Sequence, residues 1–266
     1  MRVHVGCRFR HTTEGPTPTV WQVRPRADGP HDLRSARWDT EPDLRATSYV
    51  DSFGNLCDRM LLPAGPSTVV FDAVVDVSGQ PDEVDEAAPQ VPVEELPDDA
   101  LVYLLPSRFC LPDLLYDDAW ELFGSGPTGW GRAQSVCDWT HEEVKFNYQA
   151  TSPATTSLDV WRARTGVCRD FAHLAVTLCR ALNIPARYAF GYLPDIGVPP
   201  PKDPMDFCAW MEVYLGGRWW TFDPRNNQRR IGRVLIGRGR DAVDVAMLTN
   251  YGAARLDEMT VWAEEA

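Results

Sequence analysis

No stretch of the sequence approaches the roughly 18–20 consecutive apolar residues that a membrane-spanning helix needs. The chain opens Met1-Arg-Val-His-Val-Gly-Cys-Arg-Phe, alternating at once and without the apolar block of a signal peptide, so a cytoplasmic location is expected. There is no Cys-x-x-Cys pair among the seven cysteines, Cys7, Cys57, Cys110, Cys137, Cys168, Cys179 and Cys208. Odd in number and scattered, they argue against a disulfide framework and against a sequence-local zinc knuckle. A phosphate-binding glycine loop, a helical histidine pair and a Gly-x-Ser-x-Gly elbow are also absent. Basic residues are outnumbered, 26 against 38 acids, and the net charge of -12 disfavours nucleic acid and anionic membranes as partners. Neither a cofactor nor a resident metal is expected, and the sequence is silent on oligomeric state.

What is present suffices for two domains. Hydrophobic residues make up 44% of the 266 and aromatics 11%, enough for real cores. Residues 1–79 read as an N-terminal β-sandwich domain. Val3, Val5, Cys7 and Phe9 alternate with polar residues, and further strands are expected at 20–24, 49–51, 58–62 and 68–77. Ser52-Phe-Gly-Asn suits a tight hairpin. Residues 80–99 hold eight acids and no base among several prolines, the pattern of an extended linker. From residue 100 to 266 the pattern is helical and then extended, an α+β core. Helices are expected at 113–123 and 132–144, at 155–164 with Gly166 as the stop, and at 168–182. Strands follow at 186–192, 209–215, 218–223 and 234–236.

A cysteine becomes a nucleophile when its pKa falls and a neighbour moves protons. In Thr165-Gly-Val-Cys-Arg-Asp-Phe-Ala-His, Gly166 permits a sharp turn and Cys168 opens a long helix, whose positive end favours thiolate. Cys179, further along the same apolar stripe, is expected in the core. If Gly216-Gly217 form a two-residue turn, Leu215 pairs with Arg218 and Trp210 faces Asp223. Strand alternation then puts Cys208, Trp210 and Glu212 on one face, with Asp223 diagonal to Cys208 at roughly 7–8 Å.

The segments GVCRDFAHLAVTLCRALNIPARYAFGYLP and DFCAWMEVYLGGRWWTFDP resemble the bacterial transglutaminase-like cysteine protease family. The resemblance extends through Val136-Cys-Asp-Trp-Thr-His141 and Phe146-Asn-Tyr148 to cover roughly residues 100–250. It implies a papain-like transglutaminase core, and a Cys-His-Asp triad in which Cys168 matches the nucleophile and Asp223 the orienting acid. The histidine of the family pattern Asp-x-His-Ala-Trp is Cys208 here. By the same resemblance the chemistry is that of a cysteine hydrolase, amidase or acyl-transfer enzyme forming a Cys168 thioester on a peptide or protein substrate. Trp210 and Tyr148 are expected to line the cleft, with Tyr148 or Asn147 as oxyanion donors.

Imidazole is about half neutral near pH 6.5, whereas a thiol near pKa 8.5 is a poor proton shuttle at neutral pH. Four readings of the replacement follow. Another base acts in a still active enzyme, the candidates being His173, His141 and Glu212, although His173 lies well round the helix from Cys168 and suits packing in the core. The chain is a noncatalytic descendant that binds peptides. Cys168 and Cys208 are a redox pair. Or the two thiols and Asp223 hold a metal. Six arginines and no acid occupy residues 225–240; they form either a solvated strand edge or the dock for the acidic linker.

Overall fold

The computed structural model describes residues 1–199 and 204–266. Strict alternation builds the first half. In β1 (Arg2–Thr13) Val3, Val5, Cys7 and Phe9 are buried, and in β6 (Gly65–Val77) every second residue from Ser67 is buried. Between them run β2 (Thr17–Trp21), β3 (His31–Glu41), β4 (Thr47–Val50) and β5 (Leu56–Leu62). Val50 pairs with Leu56 across the expected tight turn, where Gly54 has a φ of 77°.

The acidic segment 80–99 is docked rather than free. Pro81 bridges Ile231, the Trp130 N–H donates to Ala88 O at 2.9 Å, and the Gly216 N–H donates to Pro89 O at 2.9 Å. Its chain leads through α1 (Asp98–Leu101) into α2 (Tyr116–Phe123), α3 (Trp130–Glu143), β7 (Lys145–Phe146) and α4 (Ser157–Ala163). Thr156 caps α4 by accepting the Asp159 N–H. The helix stops at Arg164, which is left-handed with φ 52°, two residues before the expected stop at Gly166. Gly166 instead belongs to β8 (Thr165–Gly166), which pairs in parallel with β7.

Then comes α5 (Cys168–Ala181), buried on every side from Asp170 onward, so its one strong apolar stripe understates how enclosed it is. It packs on an antiparallel sheet ordered β11 (Arg218–Phe222), β10 (Cys208–Leu215), β9 (Ala186–Tyr192), β12 (Val234–Gly239). The β10–β11 turn is at Gly216 and Gly217, with φ of 58° and 88°, and Leu215 pairs with Arg218 as the sequence predicts.

The boundary at 266 needs correction. The last two strands, β13 (Leu248–Asn250) and β14 (Ala254–Glu265), leave the core and complete the two sheets of the sandwich, ordered β14-β1-β6-β3 and β13-β2-β5-β4. Without β14 the apolar strand β1 would present a long open edge. The two halves are also joined by one hydrophobic cluster, in which Phe9, Trp21 and Phe71 pack with Tyr192, Phe207 and Ile236. None of the helices among the described residues is long and apolar enough to cross a membrane.

Candidate active site

Two short β-pairings deliver the nucleophile. The β7–β8 pair sets Phe146 opposite Gly166, beside the start of α5. A side chain at position 166 would put its Cβ 2.6 Å from the Asp170 Cβ, so only glycine lets Asp170 close over the turn. Asp170 is fully buried and accepts the Val167 N–H at 2.9 Å, which fixes the first turn of the helix. Arg169 pairs with Asp170 at 2.9 Å and donates to Thr151 Oγ1, so its charge is committed there.

Cys168 is half-buried at the helix N-terminus, its Sγ 3.8 Å from the Phe207 carbonyl. Cys208, the next residue, is 5% exposed and begins β10, where its cross-strand partner Gly191 carries no side chain. The two thiols are neighbours, with the Cys208 Sγ 3.7 Å from the Ala209 carbonyl. The Cys208 thiol's donation is the largest influence on Cys168; it outweighs burial and, with the Ala209 N–H and the Arg225 charge, holds Cys168 below its ordinary pKa of 9.0. The same contact, with burial and the nearby Asp223 charge, drives Cys208 well above its ordinary value. One sulfur thus ionises easily and the other keeps its proton.

Both sulfurs line a cavity of about 460 Å³, together with Phe146, Tyr148, Asp206 and Arg225. No histidine is among its described lining residues. Tyr148 lines the cavity, whereas Asn147 is occupied in accepting the Gln149 N–H. Trp210 is not a wall of this cavity, a correction to the expectation. Its indole is packed with Ala189 and Leu235 beneath the Arg233 guanidinium, 4.9 Å away, and it lines a second cavity of about 360 Å³. One pleat step beyond Cys208 is enough to carry so large a ring away from the sulfurs.

Asp223 is buried near Cys208, and its carboxylate is fully engaged. It accepts from Asn226 N and Nδ2 at 2.9 Å each and from Arg233 Nη2 at 2.7 Å. Burial pushes its pKa up, but Arg233 and Asn226 outweigh that and hold it below 3.8. Among the described residues no group of three or more Cys, His, Asp or Glu side chains converges as a metal would require.

The three expected bases are all spent elsewhere. His173 is fully buried, stacks on Phe109 with ring centroids 5.2 Å apart, and accepts the Ala242 N–H at 3.1 Å. Burial and the Arg169 charge lower its pKa to about 3. His141 Nδ1 meets the Arg225 carbonyl at 2.8 Å, and Glu212 is paired with Arg187 at 2.6 Å and Arg238 at 2.8 Å.

Two groups were not singled out from the sequence. Asp206, two residues before Cys208, is exposed at the cavity mouth, yet the walls around its carboxyl raise its pKa above 3.8. Arg225 stands 4.3 Å over the Phe146 ring and lends its charge to Cys168. Strand alternation from Cys208 was the available signal for Asp206; for Arg225 there was none beyond its place in the arginine run.

Comparison with known proteins agrees with this architecture. The family model described as Transglutaminase-like superfamily matches residues 121–224. An uncharacterized protein of Mycobacterium tuberculosis is 31% identical over 232 residues, covering 79% of this chain and 73% of the relative. One from Mycobacterium leprae is 25% identical over 255 residues, covering 89% and 88%. A crystal structure from Cytophaga hutchinsonii described as a "Putative Cysteine Protease" superposes with a TM-score of 0.90 at 29% identity, covering 100% of this chain and 90% of that one. With its helix-borne cysteine, its α+β core and these relatives, the chain belongs to the transglutaminase-like superfamily.

Proposed function

We propose that the chain is a cysteine hydrolase that cleaves a carboxamide or peptide bond through a Cys168 thioester, with Cys208 in the proton-carrying role usually filled by imidazole. The observation that carries this reading is the placing of the thiol pair: Cys168 stands half-buried at the N-terminus of α5, on a cavity that the Cys208 side chain also lines.

The Cys168 thiolate adds to the substrate carbonyl, and the oxyanion that forms faces the positive end of α5. Cys208 gives its proton to the departing amine as the C–N bond breaks, leaving a thioester on Cys168 and a thiolate on Cys208. That thiolate takes a proton from water, whose hydroxide releases the acid and restores both thiols to their starting state. A thiol matches these transfers less well than imidazole near neutral pH, so turnover is slow. A site built on two reduced thiols fits a compartment that keeps thiols reduced, such as the cytoplasm.

The test is hydrolysis of a fluorogenic peptide-amide library by the full chain and by Cys168→Ala. Turnover abolished by the substitution supports the reading; equal rates from both proteins refute it.

A second reading, a peptide-binding module without turnover, is favoured by one observation: Asp223 is held by Arg233 and Asn226, away from the orienting role of the triad acid. Peptides that bind both proteins alike and are cleaved by neither would select it.

A further inference from the structure

The two thiols have a chemistry that amide hydrolysis does not use. They line one cavity as neighbours, Cys168 the more accessible and Cys208 the more buried. The other five cysteines are all buried. Cys168 is in the first turn of a helix, and Cys208 begins a strand opposite a glycine, which leaves room beside its side chain for a sulfur to approach to bonding distance, about 2 Å.

We infer that Cys168 and Cys208 form a reversible oxidation site for hydroperoxides, in which Cys168 is the sulfur attacked and Cys208 the one that resolves it. The Cys168 thiolate attacks one peroxide oxygen, the O–O bond breaks and hydroxide (or alkoxide) departs; sulfur is oxidised by two electrons to the sulfenic acid and the peroxide is reduced. The Cys208 sulfur then attacks the Cys168 sulfur, the S–O bond breaks, and the Cys208 proton leaves with hydroxide as water. The product is a 168–208 disulfide, which an external dithiol reduces by exchange. Oxidation to the sulfinic acid, which thiols do not reverse, is thereby averted, and the nucleophile is withdrawn until reduction.

This inference requires only a nucleophilic Cys168 with Cys208 beside it on the same cavity, so it stands apart from amide cleavage. Its experiment uses the reduced full chain, hydrogen peroxide in small molar excess, the sulfenic-acid trap dimedone, and peptide mapping by mass. The expected result is a 168–208 cross-link, with iodoacetamide labelling of Cys168 reduced at least about tenfold and restored by dithiothreitol. Cys208→Ser is expected to stop at a dimedone-trapped Cys168 and to pass on to the sulfinic acid. Should wild type instead accumulate as much Cys168–dimedone adduct as Cys208→Ser, without the cross-link, the inference is overturned. If Cys208→Ser does not fold, Cys168→Ser decides: Cys208 alone must give no dimedone adduct, and an adduct there reverses the assigned roles. Peptide-amide turnover is scored separately on the reduced protein; its absence beside a clean cross-link removes the hydrolase reading and leaves this one.

Discussion

Asp82 and Asp223 share one guanidinium. Arg233 donates through Nε to Asp82 at 2.9 Å and through Nη2 to Asp223 at 2.7 Å. The acidic segment between the domains thus reaches the carboxylate beside Cys208 through a single buried side chain. Asp82 also accepts the Arg230 N–H at 2.9 Å, while Arg229 Nε donates to the Asp82 carbonyl.

Asp82→Asn is therefore expected to destabilise the fold by about 3 kcal/mol, the lower end for breaking a buried pair, because Asp82 keeps some contact with water. Glu83→Gln, which removes an exposed pair with Arg218, is expected to cost between about 0 and 1 kcal/mol. Urea unfolding of the two variants is the measurement. Equal losses would show that Arg233 does not depend on Asp82.

Removing the Cys208 thiol should make Cys168 harder to ionise. Iodoacetamide labelling of wild type is expected to titrate below the ordinary thiol value of 9.0, and Cys208→Ala to shift that midpoint upward. Cys208→Ser, which keeps a hydroxyl donor, is expected to fall between them. A midpoint unmoved by Cys208→Ala would assign the low value to the helix terminus and Arg225 alone.

Cys208→His restores the side chain found in the family pattern. Peptide-amide turnover is expected to rise about 10²- to 10⁴-fold, the usual contribution of a placed general base. No gain would mean that Asp223, held by Arg233 and Asn226, does not orient an imidazole.

Acid is expected to destabilise the protein in two stages. His173 stays neutral in the folded protein down to about pH 3, whereas the unfolded chain takes up a proton near 6.5. Its contribution is complete above pH 6.5 and declines as pH falls below it. Burial raises the Glu212 and Asp223 pKa values, but their arginine partners outweigh it, so both lie below their ordinary 4.5 and 3.8. The stability these carboxylates lend is present above those values and lost as pH falls through the folded ones. His4 acts in the opposite sense: burial lowers its pKa, Asp72 and Glu264 more than offset that, and its contribution disappears as pH rises above 6.5. Denaturant unfolding between pH 4.5 and 8 measures the sum, and His173→Gln should flatten the slope between 4.5 and 6.5.

The β10–β11 hairpin was legible because two adjacent glycines admit only a narrow set of turns, and one turn fixes a register. The helix bearing Cys168 was legible from its apolar stripe and its stop at Asn183-Ile-Pro185. β3 was missed because, after His31, nearly all its residues face water at the sheet's edge, leaving no alternation to read. The arginines of 225–240 were legible as a dock for the acidic linker or as a solvated strand edge, but charge alone did not choose between the two. The acidic linker was one of the two expected partners, and Asp82 does meet Arg229, Arg230 and Arg233; that Arg230 and Arg233 are buried, and that Arg233 also takes Asp223, no charge pattern could tell. Trp210 shares a strand face with Cys208, yet which cavity a side chain enters depends on the neighbours packed over it, here Arg233.

The pairing of β1 with β14, from Val3 opposite Glu265 to Thr13 opposite Ala254, has a consequence for biosynthesis. As the ribosome delivers the chain, β1 gains β6 early, but its other flank stays bare until the whole cysteine-bearing core has been made. A molecule whose core fails to mature cannot present β14 properly and keeps a sticky edge that chaperones or proteases recognise. A strand made before the core is thus sealed by one made after it.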